Sequence, residues 1–241
     1  MKILNIGCGT KTATHPDVVN IDWSIYLWIR KNPLLYGLAL VMLGSDRRDR
    51  LKAMPTNIQV HDLRKGIPFP ENSVDAVYHS HFFEHLDREH TPVFLKEVYR
   101  VLKPGGLQRI VVPDWEKLSR DYLAHLDRCN DGDEAKRHDT YVSEMIEQMV
   151  RRESYGTSCQ KPWRRKLENF LLGDARKRGE THQWMYDRVN LGCVLSEAGY
   201  QNITVQQYNT SHLDGWNGYG LDLDASGNEY KPGSLYIEAF K

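Results

Sequence analysis

Apolar positions in this chain fall into short runs that stop at glycine, proline or acidic residues. Lys2-Ile3-Leu4-Asn5-Ile6 ends in Gly7-Cys8-Gly9, and Val18-Val19-Asn20-Ile21 ends at Asp22. Apolar runs of this length bounded by turn residues predict buried strands. Ile58-Gln59-Val60-His61 alternates as a third strand and delivers Asp62-Leu63. The turn-rich Gly66-Ile67-Pro68-Phe69-Pro70-Glu71-Asn72-Ser73 leads into Val74-Asp75-Ala76-Val77-Tyr78-His79-Ser80, a fourth strand with His79, Ser80 and His81 at its end. Phe94, Leu95, Val98, Val101 and Leu102 recur at helical spacing and predict a helix with Thr91 as N-cap and Pro92 at its first position. Lys103-Pro104-Gly105-Gly106 fits a type II turn. It opens a fifth strand, Arg109-Ile110-Val111-Val112, which stops at Pro113-Asp114.

Residues 24–57 read as helical and end in Asp46-Arg47-Arg48-Asp49-Arg50, a solvated face. Residues 115–181 read as a helical insertion after the fifth strand. It contains an amphipathic stretch, 142–151, and a basic aromatic one, Lys161-Pro162-Trp163-Arg164-Arg165-Lys166. The latter suits a phosphate or sugar acid, because guanidinium forks match planar anions and indole faces stack on sugars; a solvated helix start explains it equally well. Beyond it, Leu191, Val194, Leu195 and Ala198 mark a helix capped by Asp187 and closed by Gly199. Ile203-Thr204-Val205-Gln206-Gln207-Tyr208 and Ser234-Leu235-Tyr236-Ile237-Glu238-Ala239-Phe240 read as the last two strands, joined as a long hairpin.

Composition narrows this α/β pattern. The 241 residues are enough for one core, and residues 1–241 are expected to form a single domain. With 32 basic and 32 acidic side chains, charge gives no reason to expect nucleic acid or an anionic membrane as the default partner. Cys8, Cys129, Cys159 and Cys193 are widely spaced with no Cys-x-x-Cys, which argues against a structural zinc site or a disulfide framework and for a reducing cytoplasm. The chain opens on a strand, which argues against a signal peptide. The apolar stretch 25–43 is interrupted by Arg30-Lys31-Asn32-Pro33, too early to span a bilayer. It reads as short helices packed on the domain, or as a peripheral contact with a membrane or a greasy substrate.

Open α/β sheets bind ligands beyond the carboxyl ends of their strands, and glycine lets backbone approach a ligand closely. Gly7 and Gly9 are therefore the first candidates. No third glycine follows at the dinucleotide spacing and no Gly-Lys-Ser/Thr closes a phosphate loop, which favours a ligand with a ribose and no phosphates. Asp22 can accept hydrogen bonds from both ribose hydroxyls. Asp62 can accept from an adenine amine, or serve as a turn former or helix cap.

Taken together, Asn5-Ile6-Gly7-Cys8-Gly9, Asn20-Ile21-Asp22, Asp62-Leu63, Pro68-Phe69-Pro70, Asp75-Ala76-Val77-Tyr78, Glu84-His85-Leu86 and Lys103-Pro104-Gly105-Gly106 resemble the class I S-adenosylmethionine-dependent methyltransferases over about the first half of the chain. The resemblance implies a doubly wound, Rossmann-like sheet of seven strands, the last antiparallel, with S-adenosyl-L-methionine as cofactor. It implies that Gly7, Cys8 and Gly9 pass under the methionine part, that Asp22, with Trp23 beside it, binds ribose, that Asp62 and Leu63 contact adenine, and that His79 and Ser80 close the floor. Two departures stand out. The interval from Gly9 to Asp22 is so short that the usual first helix must be very short or replaced by a loop over 10–17. No helical extension precedes the first strand, so a substrate lid is expected from the insertions at 24–57 and 115–181. Thr181-His182-Gln183-Trp184-Met185-Tyr186-Asp187 resembles the matching segment in a branch often met near genes for cell-surface polysaccharides, which implies a sugar or glycan acceptor ahead of a small natural product.

Because a sulfonium methyl is already activated, such an enzyme mainly has to place a nucleophile in line at about 3 Å. A hydroxyl acceptor also needs a base, and His85, His182 and, behind them, His81 are the candidates. Plainer roles are a helix-start residue for His85 and a surface position for His182. Two rival readings remain. His81-Phe82-Phe83-Glu84-His85 matches the H-x-x-E-H zinc pattern of inverted metalloproteases, in which both histidines share a helical face. A binding protein that kept the fold without the reaction is the other. Asp222-Leu223-Asp224-Ala225-Ser226-Gly227 begins like a calcium loop but has Gly233 in place of the closing glutamate, so a hairpin turn is expected there. No metal ligands are assigned.

Overall fold

Ile3–Ile6 (β1) is buried along its whole length, as a strand covered on both faces must be. It pairs in parallel with Val18–Asp22 (β2) on one side and Val74–Ser80 (β4) on the other. Ile58–Val60 (β3) extends the sheet beyond β2, and Leu102–Pro113 (β5) extends it beyond β4, both parallel. Ser234–Phe240 (β7) is antiparallel to β5 and to Gln201–Gln206 (β6). The order is β3-β2-β1-β4-β5-β7-β6 in one seven-stranded sheet, the doubly wound arrangement expected. This computed structural model describes residues 1–42, 44–128, 133–148 and 181–241.

Helices α1 (Ile25–Lys31), α2 (Pro33–Met42) and α3 (Ser45–Ala53) fill the interval between β2 and β3. Helix α4 is Thr91–Val101, and its apolar stripe packs under the sheet as the spacing predicts. Its N-cap is His90 rather than Thr91. The Asp87 carbonyl already collects the amides of His90 and Thr91, so the helical turn begins one residue early. Strand β5 likewise starts at Leu102, before the predicted turn. Register jumps from Val74–Leu102 to Ala76–Leu107, so residues 103–106 bulge from the ladder with Gly105 at φ 73°. The turn is there, inside the strand.

After β5 come α5 (Trp115–Leu126), capped by the Asp114 carboxylate, and α6 (Asp133–Gln148). The basic aromatic segment at 161–166 lies outside the described residues. Asp187 caps α7 (Arg188–Glu197) in a reciprocal capping box with Asn190. Among the described residues no helix is long and apolar enough to cross a membrane.

The two faces of the sheet are covered differently. Leu4, Ile6, Val77, Ile110, Val112 and Ile237 meet α4 and α7. Ile3, Val18, Ala76, Tyr78, Val111 and Tyr236 meet the connection between β6 and β7, through Trp216 and Leu221. No helix stands between β1 and β2. Residues 10–17 form a loop held by side-chain amides: Asn5 donates to the Lys11 carbonyl, while Asn20 accepts from the Ala13 amide and donates to its carbonyl. The β6–β7 connection closes over that loop, with the Lys11 ammonium on the Leu223 carbonyl and His15 edge-on to Tyr219. Arg109 anchors the connection from the sheet by pairing with Asp222. The segment from Asp222 onward is a turn, as expected, with Asp224 accepting from the amides of Ser226 and Asn228.

Candidate functional site

The carboxyl ends of β1, β2, β4 and β5 share one edge of the sheet, and the glycine turn lies on it. Gly7 (φ 61°) and Gly9 (φ 54°) adopt left-handed backbone, where a side chain is strained. Gly7 donates its amide to the Ile21 carbonyl, and the Gly9 amide reaches a carboxylate oxygen of Asp22 at 2.6 Å. The other oxygen of Asp22 accepts from the Trp23 amide. Burial raises the Asp22 carboxyl above the usual range, against the pull of these hydrogen bonds. Each carboxylate oxygen keeps a lone pair for a further donor. A Cβ on Gly9 would meet nothing within 4 Å, so the backbone there borders open space. A turn with an open flank and a half-committed carboxylate fits a ribose-bearing ligand. Cys8 is buried, and burial, with Asp22 adding to it, pushes its thiol up to about 12; it stays protonated and is no nucleophile.

Asp62 accepts from Nε and Nη2 of Arg64 at 2.9 and 2.8 Å and caps the 3-10 turn Leu63–Lys65. Those bonds, with the Arg64 charge, hold its carboxyl below the usual range. Arg64 in turn lies 5.6 Å over the ring of Trp23, so Asp62 is tied to the Asp22 end of β2. The cap-and-turn role is the one the geometry displays. Leu63 packs against the main core. Ser80 ends β4. His79 has no exposed surface: it stacks on Phe83 and touches Phe94 edge-on, its Nε2 3.2 Å from Gln108.

Phe82 links this turn to a second cluster. A Cβ on Gly7 would fall 2.3 Å from its ring, so only glycine lets the two elements touch. On either side of Phe82 stand His81, Glu84 and His85. His81 turns out of β4 with φ 50°, and its Nε2 is 2.9 Å from the Ser234 hydroxyl. Phe83–His85 is one 3-10 turn of three residues. The two histidines of the H-x-x-E-H match therefore share no helical face, which removes the zinc-protease geometry that the spacing alone allowed. The Glu84 carbonyl accepts from the amides of Gln183 and Trp184, and this brings His182 to His85 with ring centres 4.9 Å apart.

The electrostatics of this cluster are unusual. Glu84 is buried, and neither carboxylate oxygen has a hydrogen bond. Glu84 Oε1 lies 3.4 Å from His81 Nδ1 and 3.9 Å from His85 Nε2. Burial pushes the Glu84 carboxyl up to about 8, against smaller pulls from its own backbone amide and then from Lys231. Burial, with His182 adding to it, pushes His85 down to about 4. His81 is pushed down to about 3 by burial and then by Lys231 and the other two imidazoles. At neutral pH both imidazoles are unprotonated.

The candidates thus gather as two neighbouring groups, Gly7, Cys8, Gly9, Asp22 and Trp23 in one and His81, His85 and His182 in the other. Glu84 stood in the sequence only as part of two motifs, and Lys231 was passed over. A carboxylate among three histidines was legible as composition, but its burial was not.

The sequence pattern of a methyltransferase domain family matches residues 38–110. The match runs from α2 into β5 and includes Asp62, His79, Glu84 and His85, while Gly7, Gly9 and Asp22 precede it. No curated protein matches the chain. Solved structures with a similar arrangement include a SAM-dependent methyltransferase from Archaeoglobus fulgidus (15% identity, covering 100% of this chain and 86% of that one, TM-score 0.41). Another, from Methanosarcina mazei, is 19% identical and covers 100% and 92%, with a TM-score of 0.43. A third, from Aquifex aeolicus, is 14% identical and covers 100% and 81%, with a TM-score of 0.39.

Proposed function

Since this chain is a class I S-adenosylmethionine-dependent methyltransferase, we propose that it moves a methyl group onto a hydroxyl of a small acceptor, a sugar or glycan before a natural product. The cofactor, when bound, supplies a methyl group on a positively charged sulfur, already primed for transfer. Gly7, Cys8 and Gly9 give it a close backbone surface, and Asp22, with Trp23, takes the ribose. Asp62 and Leu63 stand nearest the expected adenine, while His79 and Ser80 support the floor from behind.

The observation that carries the reading is the juxtaposition of that glycine turn, through Phe82, with His85 and His182. A methyl acceptor oxygen must lose its proton as the new bond forms, and an unprotonated imidazole at the same sheet edge can take it. His85 is the base in this reading, with His182 beside it and His81 behind. Helices α1–α3 and α5–α6 form the cover over the acceptor. Carbohydrate modification and a cytoplasmic location belong to the same reading.

Titration with S-adenosylhomocysteine, followed by a screen of nucleotide sugars and glycans with labelled S-adenosylmethionine, tests it. Binding of S-adenosylhomocysteine and label in a sugar are the expected results; label in none of the sugars but in a phenol or other small alcohol moves the acceptor to the second class. Asp22→Ala is expected to weaken S-adenosylhomocysteine binding by about 1–3 kcal/mol, the value of hydrogen bonds to a charged group. Unchanged affinity would place the ribose elsewhere.

A peripheral contact through 25–43 is supported by side-chain placement. Helix α2 is apolar all round and buries no residue, leaving Leu34 86% and Val41 84% exposed. Leu27 of α1 anchors this cap against Cys8 and Ile58, beside the glycine turn. Phospholipid vesicles are expected to carry the protein into the pellet, and Leu34→Glu with Val41→Glu to release it. Equal sedimentation of the double variant would assign the patch to the acceptor cover instead.

A further inference from the structure

Glu84 presents a question that the methyl-transfer reading leaves open. A carboxyl group 1% exposed, with neither oxygen hydrogen-bonded, is costly to keep in a fold. Its surroundings are not apolar on every side. His81, His85 and His182 converge on it, and the ligand-capable atoms of Glu84, His85 and His182 lie within 4.8 Å of one another.

We propose that Glu84, His85 and His182 bind a divalent first-row transition ion, with His81 next to them at 3.4 Å from the Glu84 carboxylate. Imidazole nitrogen and carboxylate oxygen sit about 2.0–2.2 Å from such an ion, which puts two ligands of a tetrahedral site roughly 3.4 Å apart. His85 Nε2, at 3.9 Å from Glu84, needs only a small side-chain rotation to reach that separation, and all three ligand atoms lie within 4.8 Å of one another. Two imidazoles with one carboxylate favour zinc, cobalt, nickel or ferrous iron over magnesium or calcium, which prefer oxygen ligands. Three protein ligands leave a position open. In the methyl-transfer reading, and only there, an acceptor hydroxyl at that position would be acidified by the ion and would give its proton to the neutral His81 imidazole, with His85 serving as a ligand.

The binding site stands on its own measurement. The full chain, stripped with a chelator and dialysed, is titrated with Co2+ and followed by its visible absorption, with Zn2+ as competitor. One equivalent per chain with a Kd below about 10 µM is expected, displaced by Zn2+ and unaffected by millimolar Mg2+. Glu84→Gln and His182→Ala should each weaken binding at least about tenfold, with an unchanged circular dichroism spectrum. His182 is partly exposed, so its variant carries the test if Glu84→Gln fails to fold. No stoichiometric Co2+ uptake by the folded chain overturns the site. Uptake that His182→Ala leaves unchanged overturns it as well, because the ion then sits elsewhere. Neither result touches the S-adenosylhomocysteine titration, which reports on the methyltransferase reading alone.

Discussion

Arg109→Met is expected to lower the unfolding free energy by about 3–5 kcal/mol, the range for removing one partner of a buried ion pair. Arg109 is 1% exposed. Its Nε donates to Asp222 at 2.8 Å, and one terminal nitrogen donates to Glu238 at 2.7 Å. Its remaining donors reach the carbonyls of Thr210 and Gln207. Without the guanidinium, two buried carboxylates are left with the Tyr78 hydroxyl, the Trp216 indole, the Ser211 hydroxyl and the His212 amide. Those neutral donors cannot offset two charges. Adding Asp222→Asn and Glu238→Gln in the same background should recover part of the loss, because the cost lies in the stranded charge. Urea denaturation of the single and triple variants measures both. A single-variant loss below about 1 kcal/mol, typical of a surface pair, would mean that water reaches the cluster and that it does not pin the β6–β7 connection.

The second large effect is on turnover. His85→Gln is expected to lower the rate of methyl transfer by about a hundredfold or more, the usual worth of a positioned base, while S-adenosylhomocysteine binds within a few fold of the parent. Glutamine keeps the approximate size and a hydrogen-bonding end but cannot take up a proton. Burial drives Glu84 and His85 in opposite senses, to about 8 and about 4. At neutral pH the carboxyl holds a proton and the imidazole has room for one, the separation expected of an acid and a base sharing a site. Initial rates on the acceptor found by the screen, beside the product titration, give the answer. Equal turnover removes His85 from the mechanism. A fall in both rate and product binding would show instead that the change travelled through Phe82 to the glycine turn. Loss of turnover follows whether the imidazole takes the proton or holds an ion, and Co2+ uptake separates those two.

Strands β1, β2, β4 and β5 were legible because each carries a short apolar run with a breaker after it, a pattern set by burial on both faces, while β3 showed only as an alternation. The order of the sheet followed from resemblance, since periodicity alone does not say which strand lies beside which. Asn5 and Asn20 were visible as polar residues inside apolar runs, yet their task, tying down the loop over 10–17, depends on a short connection whose path the sequence does not print. Arg109 and Glu238 carried a comparable signal: each is a lone charge in an otherwise apolar strand, and such a charge calls for a partner. Their pairing across β5 and β7 could have been proposed from the antiparallel register once the strands were aligned. Asp222 could not, because it arrives on a long connection. At the site, Gly7, Gly9 and Asp22 were readable from their places at strand ends. His81, Glu84 and His85 matched a helical zinc motif only because spacing in sequence ignores the left-handed residue and the single tight turn that shape the segment.

The face of the sheet that the β6–β7 connection covers has a bearing on synthesis. Ile3 and Val18 are translated long before Trp216, Leu221 and the Arg109 partner Asp222. Until then a nascent chain presents an uncovered apolar surface, and closing it joins residues some two hundred positions apart, as Lys11 and Leu223 are. Contacts of such long range form slowly and leave intermediates prone to aggregation. Strand β1 thus depends for its shelter on residues translated long after it, and chaperone demand should fall in that interval.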